Sequence, residues 1–194
     1  MRKKHPKRRL EVVAYANYRQ YKPHLREDFL SRCGYCNDSD RLSGGERGFQ
    51  IDHFAPKSRF PDLGSTYSNL VYSCPYCNRA KWDSWPSVSS DVHNDGLIGF
   101  VDPCADEFVA HLERDDQGRI RALTPVGEFM HRTLKLYLER HRLAWLLSEL
   151  EEQLRVALAL RAELRHGSEV DIELLELIAT LTDNVLKMSD EFFK

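Results

Sequence analysis

Two Cys-x-x-Cys pairs, Cys33-Gly34-Tyr35-Cys36 and Cys74-Pro75-Tyr76-Cys77, enclose the residues of this chain best suited to chemistry. Each pair can turn two thiolates toward one ion, and two pairs complete a tetrahedral four-sulfur site. Such a site leaves no position open for water, so its ion is structural, and zinc is the ion expected. In a reducing compartment, pairs of this spacing bind metal in preference to forming disulfides. The fifth cysteine, Cys104, stands outside the pattern and reads as a plain buried or half-buried thiol.

Between the pairs lie Asp52-His53 and Asn69, and Asn78 directly follows the second pair. One carboxylate and one amide oxygen suit a hard cation of the magnesium type, which keeps several waters and accepts a phosphate oxygen. His53 is then free to take a proton from a water attacking phosphorus. The ion would offset the charge of the pentavalent transition state and of the leaving 3′-oxygen. Asn69 can hold His53 in the right tautomer, through its side chain or by fixing the loop backbone. A lone His beside an Asp is usually structural; it is the combination that points to phosphodiester hydrolysis. Lys57, Arg59, Arg79 and Lys81 flank it and are candidate DNA-binding residues, each a solvated charge by itself but together suited to phosphates beside the cut. Trp82 and Trp85 could stack or wedge at a base step, although packing the small motif is the role expected of them.

The pattern Asp52-His53, Asn69-Leu70 and Cys74-x-x-Cys77-Asn78-x-x-Lys81 resembles the HNH endonucleases, and within them the subgroup whose ββα-metal motif is framed by a four-cysteine zinc site. The resemblance covers about 50 residues, roughly a quarter of the chain. It implies that His53 is the general base, that Asn69 supports the loop, and that Asp52 and Asn78 bind the catalytic Mg2+ or Mn2+. Asn in the last position, instead of His, is a variant found in that family. The string Asp52-His53-Phe54-Ala55-Pro56-Lys57 is also similar to HNH nucleases of bacterial anti-phage defence systems, such as Septu-type nucleases that work beside an ATPase. Asp102-Pro103 through Leu123-Thr124-Pro125 looks like an extension of stand-alone bacterial HNH proteins.

The elements that must position these residues form an α+β fold: a ββα-metal core with its zinc site, a small β-hairpin and a C-terminal helical hairpin. Residues 1–32 read as a basic arm and N-terminal helices, with helical spacing from Val12 to Tyr18, an interruption at Pro23 and a resumption at His24. The nuclease core spans 33–95, with a loop over 37–46, a strand over Gly48–Phe54, a second over Leu70–Ser73 and a helix from about Asn78. Residues 96–125 hold a short strand, Gly96–Val101, and a hairpin of Glu107–Glu113 and Arg119–Leu123, with His111 packed inside it. From Thr124-Pro125, over 126–194, one long helix carrying Leu136, Leu143, Leu150, Ala157 and Leu164 is expected. Gly167 and the Ser168-x-x-Asp171 box then restart a second helix.

Composition excludes other classes. With 42% hydrophobic and 30% charged residues in 194, the chain is an ordinary globular protein. No apolar run spans a membrane, and the basic N-terminus lacks the core of a secretory signal, so a cytoplasmic location is expected. The net charge of −2 hides an asymmetry: residues 1–81 hold 16 Lys/Arg against 8 Asp/Glu, and the rest is acidic. A positive end beside the motif suits contact with a polyanion through that end only, and the partner expected is DNA, double-stranded. Arg2 to Arg9 could be an arm lying along phosphates, or a solvated tail. The C-terminal helices could pack the motif, form a homodimer or dock an ATPase or other defence partner. The alternative to a nuclease is a zinc-dependent nucleic-acid-binding module without catalysis, but binding alone needs no base beside two oxygen ligands.

Overall fold

A computed structural model describes residue 2, residues 4–164 and residues 166–194. The chain divides into two compact units, residues 1–141 and 142–194.

The first unit is built on an antiparallel pair, β1 (Gln50–His53) and β2 (Leu70–Ser73), followed by a helix over Pro75–Lys81. The register sets Asp52 opposite Val71 and His53 opposite Leu70. Before β1 come two helices, α1 (Lys22–Asp28) and the single turn α2 (Gly45–Gly48), so the helix after β2 is α3. Along β1 the chain passes from exposed Gln50 to buried Asp52 and His53, so both faces are covered at its C-terminal end. All of β2 is buried. The core around it joins Leu25 of α1, Phe29 at its C-cap, Tyr35 of the first knuckle, Phe49, and Phe100, Phe108 and Met130 from later in the chain.

Several expectations are corrected here. Residues 10–17 form no helix; β-branched Val12 and Val13 favour extended backbone, and Asn17 caps a 3-10 turn over Tyr18–Tyr21. Pro23 opens α1 at its first turn instead of interrupting a helix, a place where its missing N–H costs nothing. The 37–46 segment holds a 3-10 turn, Asp40–Ser43, leading into α2. Helix α3 starts three residues earlier than the spacing predicts, because Cys74 caps it and Pro75 fits its first turn. Gly96–Val101 is not a strand; it contributes one bridge, Asn94 to Gly99.

The later hairpin is shorter than expected. Phe108–His111 is a helical turn, α4, and the paired strands are β3 (Leu112–Arg114) and β4 (Ile120–Ala122). His111 packs its Nδ1 2.6 Å from Thr124 Oγ1, which also caps α5 (Pro125–Thr133). The long helix is broken: α5 ends at Thr133, Lys135 takes φ +54°, and α6 (Glu139–Ala162) begins anew. Leu134 and Leu136 are buried at the break, so core packing overrides the heptad spacing.

The basic arm is not free. Arg8 makes two bonds to Asp102, at 2.8 and 2.9 Å, and donates to the Leu70 carbonyl. Arg9 grips Asp28 and Glu27, and Arg2 donates to the carbonyls of Gly34 and Pro103. Lys4 and Lys7 remain exposed; Lys3 lies outside the described residues.

In the second unit α6 continues and α7 (Glu169–Phe192) folds back, forming the expected C-terminal hairpin. Gly167 turns the chain at φ +80°, Ser168 Oγ accepts from Asp171 N, and Arg161 donates to Asp171 at 3.0 Å. Among the described residues no helix is long and apolar enough to cross a membrane.

Candidate active site

The four cysteines meet. One sulfur from each of Cys33, Cys36, Cys74 and Cys77 lies within 4.8 Å of the other three, all buried, with Cys36 and Cys74 sulfurs 3.8 Å apart. Thiolates about 2.3 Å from a tetrahedral zinc stand roughly 3.8 Å from one another, so the donor set fits that ion. In each knuckle a backbone N–H reaches back to sulfur at 3.4 Å: Tyr35 to Cys33, and Cys77 to Cys74. The first knuckle sits against β2, where Gly34 N donates to Tyr72 O at 2.8 Å. A Cβ on Gly34 would stand 2.6 Å from Val71 Cγ1, so that close approach requires glycine.

Asp38 and His141 adjoin this cluster, His141 Nδ1 lying 2.6 Å from Asp38 Oδ2, and with Cys36 they could also group around an ion. Cys36 already belongs to the four-sulfur set, and the short Asp38–His141 contact is a donor–acceptor pair. We therefore read both residues as support for the first knuckle. Buried Arg114 braces the same corner, donating to Cys36 O at 2.6 Å and to His141 O at 2.9 Å. No local spacing signals these partners, since His141 is 103 positions from Asp38.

Beside the clamp, Asp52, His53 and Asn78 line one cleft of about 500 Å³, with Tyr18, Lys57, Arg79, Trp82 and Asp83 among its other walls. His53 Nε2 lies 2.9 Å from the Gly64 carbonyl. A carbonyl only accepts, so Nε2 carries the proton and Nδ1 keeps the lone pair of a base. Burial lowers the His53 pKa, and the charges of Lys57 and Lys81 add to this against the Gly64 bond. Burial and the two cations thus favour the neutral ring.

The Asn69 side chain makes no hydrogen bond to His53. Its Oδ1 accepts from Ala55 N at 2.8 Å, and its Nδ2 donates to Ala55 O at 3.0 Å and Leu63 O at 3.3 Å. These bonds tie together the two ends of the loop that presents Gly64.

Asp52 is buried, its Oδ2 accepting from Tyr35 OH at 2.5 Å with Lys81 Nζ at 3.3 Å. Burial raises its pKa, while Lys81 and Tyr35 act in the opposite direction. Asn78 Nδ2 donates to Gln50 Oε1 at 2.5 Å, a bond that does not use its Oδ1. Gln50 was missed by sequence reasoning; its only signal is its place two residues before Asp52.

The four candidate DNA-binding residues separate. Lys57 and Arg79 are exposed at the cleft, Lys57 standing 4.6 Å over the Tyr18 ring. Arg59 is exposed, but its guanidinium donates to the carbonyls of Trp85 and Ser87. Lys81 is a correction. It is 0% exposed and donates to His53 O at 2.9 Å, so it holds the site together from within and meets no phosphate. Trp85 is a core residue, as expected, packed against Phe54 and Phe100.

The family model described as HNH endonuclease matches residues 33–84, the segment from the first knuckle to just past α3. No curated protein and no solved structure matches the chain.

Proposed function

We propose that the HNH segment makes this protein an endonuclease that hydrolyses phosphodiester bonds of DNA, with His53 as the general base. One observation carries the reading: His53, Asp52 and Asn78 line a single cleft, with the Nδ1 of His53 left unprotonated by the bond from Nε2 to Gly64. His53 Nδ1 takes the proton of the attacking water. Asn69 keeps the imidazole aimed by holding the loop at Ala55 and Leu63. Lys57 and Arg79 meet phosphates flanking the cut. Asp52 and Asn78 would hold a Mg2+ or Mn2+ ion; when bound, it supplies positive charge to the phosphoryl oxygens and the leaving 3′-oxygen. The four cysteines would hold a structural zinc ion that gives α3, and with it Asn78, a fixed place.

A place as effector of an anti-phage system is supported by the similarity of residues 52–57 to the HNH nucleases of such systems. The second unit would then serve as the docking or dimer surface, since α6 and α7 expose Leu158, Leu160, Ile172 and Leu177.

The test is supercoiled plasmid incubated with purified protein in magnesium, manganese or EDTA, beside His53→Ala. Metal-dependent nicking or linearisation that disappears in the variant is the expected result. Binding without cleavage in every metal would favour the zinc-clamped binding module, and cleavage by His53→Ala at the parent rate would remove His53 as base.

A further inference from the structure

Trp82 ends α3 with φ +49° and ψ −124°. L side chains avoid this conformation and glycine adopts it freely, so a bulky residue here carries strain that some contact ordinarily offsets. Burial does not offset it, because the side chain is 75% exposed. Among the described residues the indole makes no ring stack, cation contact or hydrogen bond with another group. Trp85, three residues on, shows the contrast: it is 7% exposed and donates Nε1–H to Ser89 O. The bare indole lines the cleft that holds His53 and Asn78. The other aromatic of that cleft, Tyr18, is already in use, with Lys57 over its face and the His53 ring 4.6 Å from it.

Resting on the nuclease reading, we propose that Trp82 is a stacking platform for an unpaired nucleobase beside the phosphate that is cut. The substrate class is then a nucleic acid with a base out of its helix at the cleavage point, as at a mismatch, a bulge or a single-stranded junction. A base inside a duplex has both faces covered and offers none to an indole, whereas an unpaired base of any identity offers one. The charges of the cleft agree with a base in that position. Lys57 and Arg79 are exposed for the flanking phosphates, while Asp83, next to Trp82 on the wall, repels the backbone from the indole.

The experiment uses the full-length His53→Ala protein, so that substrates stay intact, with Trp82 kept or changed to Gly or Phe. The probes are a duplex oligonucleotide and the same duplex with one unpaired 2-aminopurine. Trp82 is expected to quench the probe on binding and to favour the unpaired duplex. Trp82→Gly should weaken that binding roughly five- to a hundredfold, leave the paired duplex unchanged and melt no lower than the parent, since the strain is relieved. Trp82→Phe should retain most of the preference. Equal losses for both duplexes, no loss, or a lower melting temperature for Trp82→Gly would each overturn the proposal; the last would make Trp82 a structural residue. The two readings fail separately. A Trp82-dependent preference with no cleavage by the parent in any metal would sink the nuclease and keep the stack. Cleavage indifferent to Trp82 would do the reverse.

Discussion

Replacing Lys81 by Met keeps the length of a fully buried side chain and removes its charge. The ammonium stands 3.3 Å from Asp52 Oδ2 and 2.9 Å from His53 O, with no exposure to solvent. Without it, Asp52 loses its cation and keeps neutral donors, the Tyr35 hydroxyl among them, and a carbonyl of β1 loses a donor. Removing one member of a buried ion pair costs about 3–5 kcal/mol, a figure that includes the hydrogen bonds the removed group made. Lys81→Met should therefore lower the stability of the first unit by about that much. Asp52→Asn in the same chain should restore part of the loss, because an amide needs no counter-ion. Guanidinium denaturation of zinc-loaded protein, followed by near-ultraviolet circular dichroism, measures all four corners of the cycle. The salt dependence of DNA binding supplies the control. Its slope should not change in Lys81→Met, but should fall by about 0.9 for each phosphate left without its cation in Lys57→Ala or Arg79→Ala. A Lys81→Met protein with parental stability and a reduced slope would put the ammonium on a phosphate and refute the burial argument.

Asn69→Ala should lower the cleavage rate by roughly ten- to a hundredfold, through a Gly64 carbonyl no longer held against His53. Asn69→Asp, which retains the acceptor for Ala55 N but not the two donations, should fall between it and the parent in plasmid-nicking rate. Cys36→Ser or Cys77→Ser should lose zinc by elemental analysis and melt well below the parent, because binding the ion contributes to folding; full zinc content with unchanged melting would exclude the clamp. Asp28 tests pH dependence. Burial opposes its ionisation, yet bonds from Arg9 and Tyr67 hold its pKa below the usual carboxylate value. Its contribution is thus full above the unfolded value of about 4 and is lost as pH falls through the lower folded value. Asp28→Asn should be less stable at neutral pH and should flatten that acid-side decline in a melting-temperature series.

What the sequence alone determined about this protein was whatever close spacing expresses. Two residues between cysteines suffice to aim a pair of thiolates, and Asn78 follows Cys77 directly, so the four-sulfur cluster and the amide beside it were legible together. Asp52-His53 before a loop and a second strand was legible for the same reason, as were the Thr124 and Ser168 caps, whose partners lie three residues on. The tertiary structure decided what depends on a partner far along the chain. Lys81 looks like a surface cation until Asp52, from the preceding strand β1, comes to meet it in the core. Arg8 looks like part of a free arm until Asp102 takes it up. Asn69 bonds to Ala55 and Leu63 across the loop that carries Gly64, a carbonyl with no signature of its own, and the break at Lys135 follows from where Leu134 and Leu136 find a core. Trp82 was legible as an aromatic but not as an exposed one, because a side chain's share of the core depends on every neighbour that competes for it. Short-range geometry is written in residue types at fixed offsets; burial and ion pairing are properties of the folded whole.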